Sequence, residues 1–194
     1  MASKAFSLVV AGFLSCSLVY ADFLTEGKEE ITRNGVSIYL EPNSAEKQRI
    51  INGEFDKTLE KMKKAFNANS KASKTPAPPV SYVTIEGIVS QKGGKEVIAE
   101  GQTTTKYDHG GNPFSVVTGV IGYGGNSSVD TATFGGSKVN YINFKGLDFN
   151  GDKIIDGWLE EWDLSTAPNE SGLFIYTSRS INPGPTLSTS IQIQ

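Results

Sequence analysis

From Val80 to the C-terminus the chain runs in short β-rich segments cut apart by glycine. VSYVTIEGIVS alternates over Val80, Tyr82, Thr84 and then Ile88, which puts one set of side chains on one face of a strand. EVIAE, GQTTTKY, FSVVTGVIGYG, KVNYINF, KIIDGWLEEWDL, GLFIYTS and TLSTSIQI follow, giving about eight strands. No strand–helix–strand alternation interrupts them. The 21 glycines of the 194-residue chain sit mostly in this part, where they serve turns. The pattern predicts a mainly β domain over residues 80–194, an antiparallel β-sandwich of jelly-roll or Ig-like type.

What precedes the domain reads differently. Lys4 opens a short positive region, Ala5 to Leu14 is uncharged and mostly apolar, and Val19-Tyr20-Ala21 offers a cleavage site before Asp22. Residues 1–21 therefore read as a signal peptide, and the mature protein as secreted. The apolar run is too short for a membrane span, so no stable membrane span is expected. The single cysteine, Cys16, lies inside this segment, and anchoring through a lipid on Cys16 is the alternative to release.

Residues 22–66 read as a helical N-terminal segment. Within 45–66, Ile50, Ile51, Phe55, Leu59, Met62 and Phe66 recur at three- and four-residue steps and mark one helix face. Asn43 followed by Glu46 fits a capping box, and Gly53 interrupts the run. Residues 67–79, NANSKASKTPAPP, read as an extended linker. The segment 22–79 carries 10 basic and 9 acidic residues, whereas 80–194 carries 7 basic and 12 acidic ones. With no dense basic stripe, a nucleic-acid partner is not expected for the β domain.

One stretch has the composition of a metal site. In DFNGDKIIDGWLEEWD, Asp148, Asn150, Asp152 and Asp156 occupy positions 1, 3, 5 and 9, and the carbonyl of Ile154 falls at position 7. Calcium takes six to eight oxygens, and a tight loop can supply them from such positions. Lys153 stands where an EF-hand has glycine and Leu159 where it has glutamate, so the expectation is a different, inter-strand calcium loop. The competing reading is a plain hairpin turning at Asn150-Gly151. Trp158 and Trp162 share one face of the following strand, and Glu160 and Glu161 point to opposite faces.

The sole histidine, His109, lies in Asp108-His109-Gly110-Gly111, which reads first as a turn. No Gly-x-Ser-x-Gly elbow marks a nucleophile, and the catalytic residues stay unknown. Asn126-Ser127-Ser128 and Asn169-Glu170-Ser171 are glycosylation sequons. Together APPVSYVTIEGIVS, GGKEVIAEGQTTTKYDHGGN, IGYG, DFNGDKIIDGW and SGLFIYTSRS resemble a family of small secreted bacterial proteins, the YolA-like domain, over about residues 77–194. The family's function is not established. The resemblance implies export and a compact domain, and it brings no catalytic residue.

The resulting expectation is a secreted, non-enzymatic binding or effector module with a calcium-stabilised loop and a glycan or protein ligand outside the cell. Two alternatives stand beside it. One is a secreted hydrolase of glycans or peptides using carboxylates such as Glu160 and Asp163. The other is a toxin or inhibitor masked by segment 22–75.

Overall fold

A computed structural model describes residues 25–69, 78–124 and 130–194. Eleven strands and two helices are named here in chain order: β1 (Glu29–Arg33), β2 (Val36–Leu40), α1 (Glu46–Ile51), α2 (Asp56–Asn69), β3 (Tyr82–Ser90), β4 (Gly94–Val97), β5 (Phe114–Ile121), β6 (Asp130–Phe134), β7 (Ser137–Lys138), β8 (Asn140–Asp148), β9 (Gly157–Asp163), β10 (Gly172–Arg179) and β11 (Thr186–Ile193). The proposed signal peptide, Cys16 and most of the 67–79 linker lie outside the described residues.

The strands form two antiparallel sheets. A seven-stranded sheet has the order β1-β2-β8-β9-β5-β3-β4, and a four-stranded sheet the order β11-β10-β6-β7. The larger sheet is covered on both faces, which explains why β5 is buried along its whole length and reads as an apolar run with little alternation. Towards the small sheet it sends Phe114, Val116 and Trp162, which meet Phe134, Phe174, Tyr176 and Ile191. Towards the helices it sends Val117, Ile121, Leu147 and Leu159, which meet Ile50, Phe55, Leu59 and Met62. The mainly β sandwich expected from sequence is present, with a helical layer on its outer face.

The N-terminal segment is not simply helical. Residues 29–40 form the β1–β2 hairpin, with Ile31 opposite Ile38 and Arg33 opposite Val36. Strand β2 then pairs with β8 through Ser37–Asp148, Ile38–Leu147 and Tyr39–Gly146, extending the main sheet. Asn34 and Gly35 both take positive φ, 52° and 70°, as a type I′ hairpin turn demands. Asn-Gly between Ile31-Thr32-Arg33 and Val36-Ser37-Ile38 was the readable signal for this hairpin.

The single helix expected over 45–66 is two. Gly53 takes φ +76° just past the end of α1. Its amide donates to Ile50 O at 2.9 Å, and the Glu54 amide to Arg49 O at 3.0 Å. That pair of bonds is a Schellman termination with glycine in the left-handed position. The expected Asn43–Glu46 capping box is replaced as well. Asn43 turns to a positive φ of 61°, and Ser44 instead bonds the Glu46 amide at 3.2 Å and contacts its carboxylate. Helix α2 runs through the first three residues of the expected linker.

Candidate functional site

The acidic loop connects β8 to β9 across one end of the main sheet. Asp148, the last residue of β8, is buried with 1% of its surface exposed. Its Oδ1 accepts the amides of Asn150 (3.0 Å) and Gly151 (2.6 Å), and its Oδ2 accepts that of Lys153 (2.9 Å). The motif then repeats: Asn150 Oδ1 accepts the Asp152 amide and Asp152 Oδ1 the Ile154 amide, both at 2.9 Å. Asp156 reaches back to accept the Phe149 amide at 2.8 Å. Short aspartate and asparagine arms suit these local bonds.

The plain two-residue hairpin is ruled out by this geometry. Gly151 has φ +80° but Asn150 is not in the left-handed region, and the connection runs over 149–156. Lys153 takes φ +65°, so the sixth position of the loop makes the sharp turn for which EF-hand loops use glycine. The Asp156 carboxyl is pushed up to about 7, first by burial and then by the charges of Asp148 and Asp152. Among the described residues no three His, Cys, Asp or Glu side chains form a ready-made metal centre. The oxygens of Asp148, Asn150, Asp152 and Asp156 are instead engaged with backbone amides.

His109 does more than shape a turn. It is fully buried, and its ring joins two distant carboxyl and hydroxyl groups. Nδ1 lies 2.9 Å from Ser90 Oγ and Nε2 3.1 Å from Glu96 Oε2. Glu96 also accepts the amides of Lys106 (3.0 Å) and Tyr107 (3.2 Å) and the Gln102 side-chain amide (2.6 Å). Burial alone would raise the Glu96 carboxyl, but these donors, led by the Lys106 amide, hold it below its ordinary value. With Glu96 ionised, Nε2 carries the hydrogen of that bond, and Nδ1 faces the Ser90 hydroxyl. Ser90 Oγ in turn accepts the Gly93 amide at 2.9 Å. The order serine–histidine–glutamate matches the connectivity of an activated nucleophile. Its setting does not: Ser90, Glu96 and His109 are all buried, and a Cβ on Gly93 would lie 2.6 Å from the ring. The relay ties the β3–β4 turn to the 101–111 segment.

The two glutamates of β9 have opposite surroundings. Glu161 faces the helices, where Oε1 accepts Ser115 Oγ (2.8 Å) and Oε2 accepts Asn143 Nδ2 (3.2 Å), with Arg49 at 3.5 Å. Beside it, buried Lys145 donates to Asn143 Oδ1 at 3.0 Å, and burial lowers its ammonium from the ordinary range. Glu160 faces the small sheet and is completely enclosed. Asp163 is three residues on, on the other face, and accepts the Ser165 amide at 2.8 Å. Glu160 and Asp163 therefore do not flank a common cleft, and the carboxylate pair considered for glycoside hydrolysis is not assembled.

A shallow groove, open to solvent, lies where α1 and α2 meet β3 and β4. Its charges are paired across it: Arg49 and Lys95 with Glu54, and Lys61 with Glu86. Among the described residues no helix is long and apolar enough to cross a membrane. No curated protein and no solved structure matches the chain. A family match does exist, and it spans β3 to β11, the two-sheet body without the N-terminal hairpin and helices. Over residues 75–193 the chain matches the family described as Domain of unknown function (DUF4879), and it belongs to that family.

Proposed function

We propose that this protein is an exported binding or effector module whose β8–β9 loop takes up one calcium ion. The observation that carries the reading is Lys153 at φ +65°, the sixth position of a loop organised from its first position by Asp148. The backbone thereby follows the turn of a calcium loop even though the residue there is lysine. Asp148, Asn150, Asp152, Asp156 and the carbonyl of Ile154 are the ligands proposed. Three carboxylates lie within nine residues, and among the described residues none of the three forms an ion pair with lysine or arginine. A divalent cation would relieve that repulsion. Export rests on the order of charged, apolar and small residues over 1–21 and on the resemblance to YolA-like proteins.

Isothermal titration with calcium, and melting with and without chelator, test the reading. One ion per loop and a lower melting temperature on chelation are expected. Substituting Asn150→Ala and Asp152→Ala together, both at exposed positions, is expected to remove that ion. If the loop variant takes up as much calcium as the parent protein, the loop assignment is wrong.

A second reading, masking of the β domain by the N-terminal segment, is favoured by one observation. Val36, Ile38 and Leu40 of β2 extend the apolar face of the sheet, and Ile50, Phe55, Leu59 and Met62 pack over it. In such a masked effector, residues 25–69 would occupy the surface that an external ligand otherwise meets. Comparing ligand capture by the full chain and by a chain cut within 70–77 tests this. Equal capture by both rejects masking.

A further inference from the structure

Between the two sheets lies a group of polar atoms that the fold leaves without partners. Glu160 of β9, Asp130 of β6 and Ser178 of β10 are all at least nine-tenths buried. Both Glu160 carboxylate oxygens, Asp130 Oδ1, Ser178 Oγ and the Tyr141 hydroxyl make no hydrogen bond of good geometry, and Asp130 stands close enough to Ser178 and Glu160 to interact with both. These make up most of the unpartnered buried side-chain atoms among the described residues. They share one place. Asp130 and Ser178 are opposite each other in the β6–β10 ladder. Tyr176 donates its hydroxyl to Asp130 Oδ2 at 2.8 Å. The Trp162 ring packs on both Tyr141 and Tyr176, at 5.6 and 5.8 Å between centroids.

Two carboxyl groups inside an apolar core are costly unless something neutralises them. No lysine, arginine or histidine pairs with either among the described residues. The remaining choices are a retained proton or a bound cation. Burial pushes Asp130 up to about 6 and Glu160 well above its ordinary value, and the Asp130 charge raises the cost of ionising Glu160 further. Such carboxyls give up their protons only to a stronger positive partner. Every available atom is oxygen, with no nitrogen or sulfur donor, which selects a hard cation over zinc or copper.

We propose that Asp130, Glu160, Ser178 and Tyr141 form an interior binding site for one calcium ion, separate from the β8–β9 loop. Two carboxylates balance its charge, and the two hydroxyls bring the free side-chain oxygens of the site to five, all of them hard donors. Calcium tolerates the irregular geometry that two crossing sheets impose better than magnesium does. Because the site is enclosed, the ion enters as the chain folds and joins the two sheets through β6, β9 and β10.

The test is refolding of the full chain from denaturant with calcium or with EDTA, followed by native mass spectrometry and melting. The variant lacking loop ligands, Asn150→Ala with Asp152→Ala, is expected to keep one ion and a chelator-sensitive melting temperature. Glu160→Gln is expected to weaken the interior ion at least about tenfold, since it removes a charged ligand. If both sites exist, the parent protein carries two ions. If only the interior site exists, it carries one, lost in Glu160→Gln and retained in the loop variant. A loop variant with no bound ion and a melting temperature indifferent to EDTA would falsify the proposal, and this outcome needs no substitution in the core. So would a Glu160→Gln protein that binds as many ions as the parent, which leaves the pair sharing a proton only.

Discussion

Glu96 shows how a single carboxylate can hold together chain segments far apart in sequence. Its donors come from Gln102, Lys106, Tyr107 and His109. The carboxyl is held below its ordinary value in the folded state, so the folded protein favours the charged form more than the unfolded chain does. That contribution is complete above the unfolded value of about 4.3 and is lost as pH falls through the lower, folded value. Glu96→Gln turns an acceptor-only group into one that presents donors to the Lys106 and Tyr107 amides. We expect it to cost about 2–3 kcal/mol at pH 7, measured by urea denaturation there and again in acid below the unfolded value of about 4.3, where the gap narrows as the parent carboxylate takes up its proton. A gap of equal size at both pH values would show that charge is not the reason for the loss.

Gly157 tests close packing at the same scale. A Cβ there would stand 2.4 Å from Val120 O, a backbone atom of the neighbouring strand. Gly157→Ala is expected to destabilise by about 1–3 kcal/mol, because the β5–β9 register between Val120–Trp158 and Ile121–Gly157 would have to part. Wild-type stability in thermal melting would mean that the strand ends shift freely. The contacts of Ser90, Glu96 and His109, and of Asp130 with Glu160, were not legible in sequence. Each partner lies on a different strand or loop, and no local spacing announces such meetings. Trp158 and Trp162 were legible because strand geometry alone places them on one face.

At the scale of elements, strands are legible where the chain alternates or runs apolar between turns. Strands β3, β5, β8, β9, β10 and β11 stand close to where alternation or apolar runs put them. GQTTTKY forms no strand and makes only an isolated parallel bridge, Thr104 to Gln192. The β6 strand, DTATF, carries no periodic signal, because its five residues offer only Ala132 and Phe134 as apolar markers. Gly53, which breaks the helical periodicity in sequence, is a helix terminator and not a weak point within one helix. In its left-handed conformation, Gly53→Ala is expected to cost about 1 kcal/mol. Circular dichroism melting of that variant checks the claim. An unchanged melting temperature would show that α1 and α2 can join without the turn.

At the scale of the molecule, the N-terminal segment and the family domain share one core. The domain matched by the family, residues 75–193, supplies Val117, Ile121, Leu147, Phe149 and Leu159 to the outer face of its large sheet. Residues before it supply the cover, and β2 completes the sheet by pairing with β8. Charges are built into the same boundary: Lys61 meets Glu86 at 3.1 Å, and Arg49 reaches Glu161 at 3.5 Å. If that face were bare, an apolar surface and two buried glutamates would meet water together. The two regions should therefore unfold as one cooperative unit. Leu59→Ala in α2 removes a fully buried side chain at their junction, and a loss of about 2–5 kcal/mol is expected. Hydrogen exchange distinguishes the possibilities better than a melt. In a shared core, Leu59→Ala lowers protection in β5 and β9 as much as in β2. If only residues 25–69 lose protection while β5 and β9 keep theirs, the segment is a separable layer, and the masking reading gains the ground that cooperativity loses.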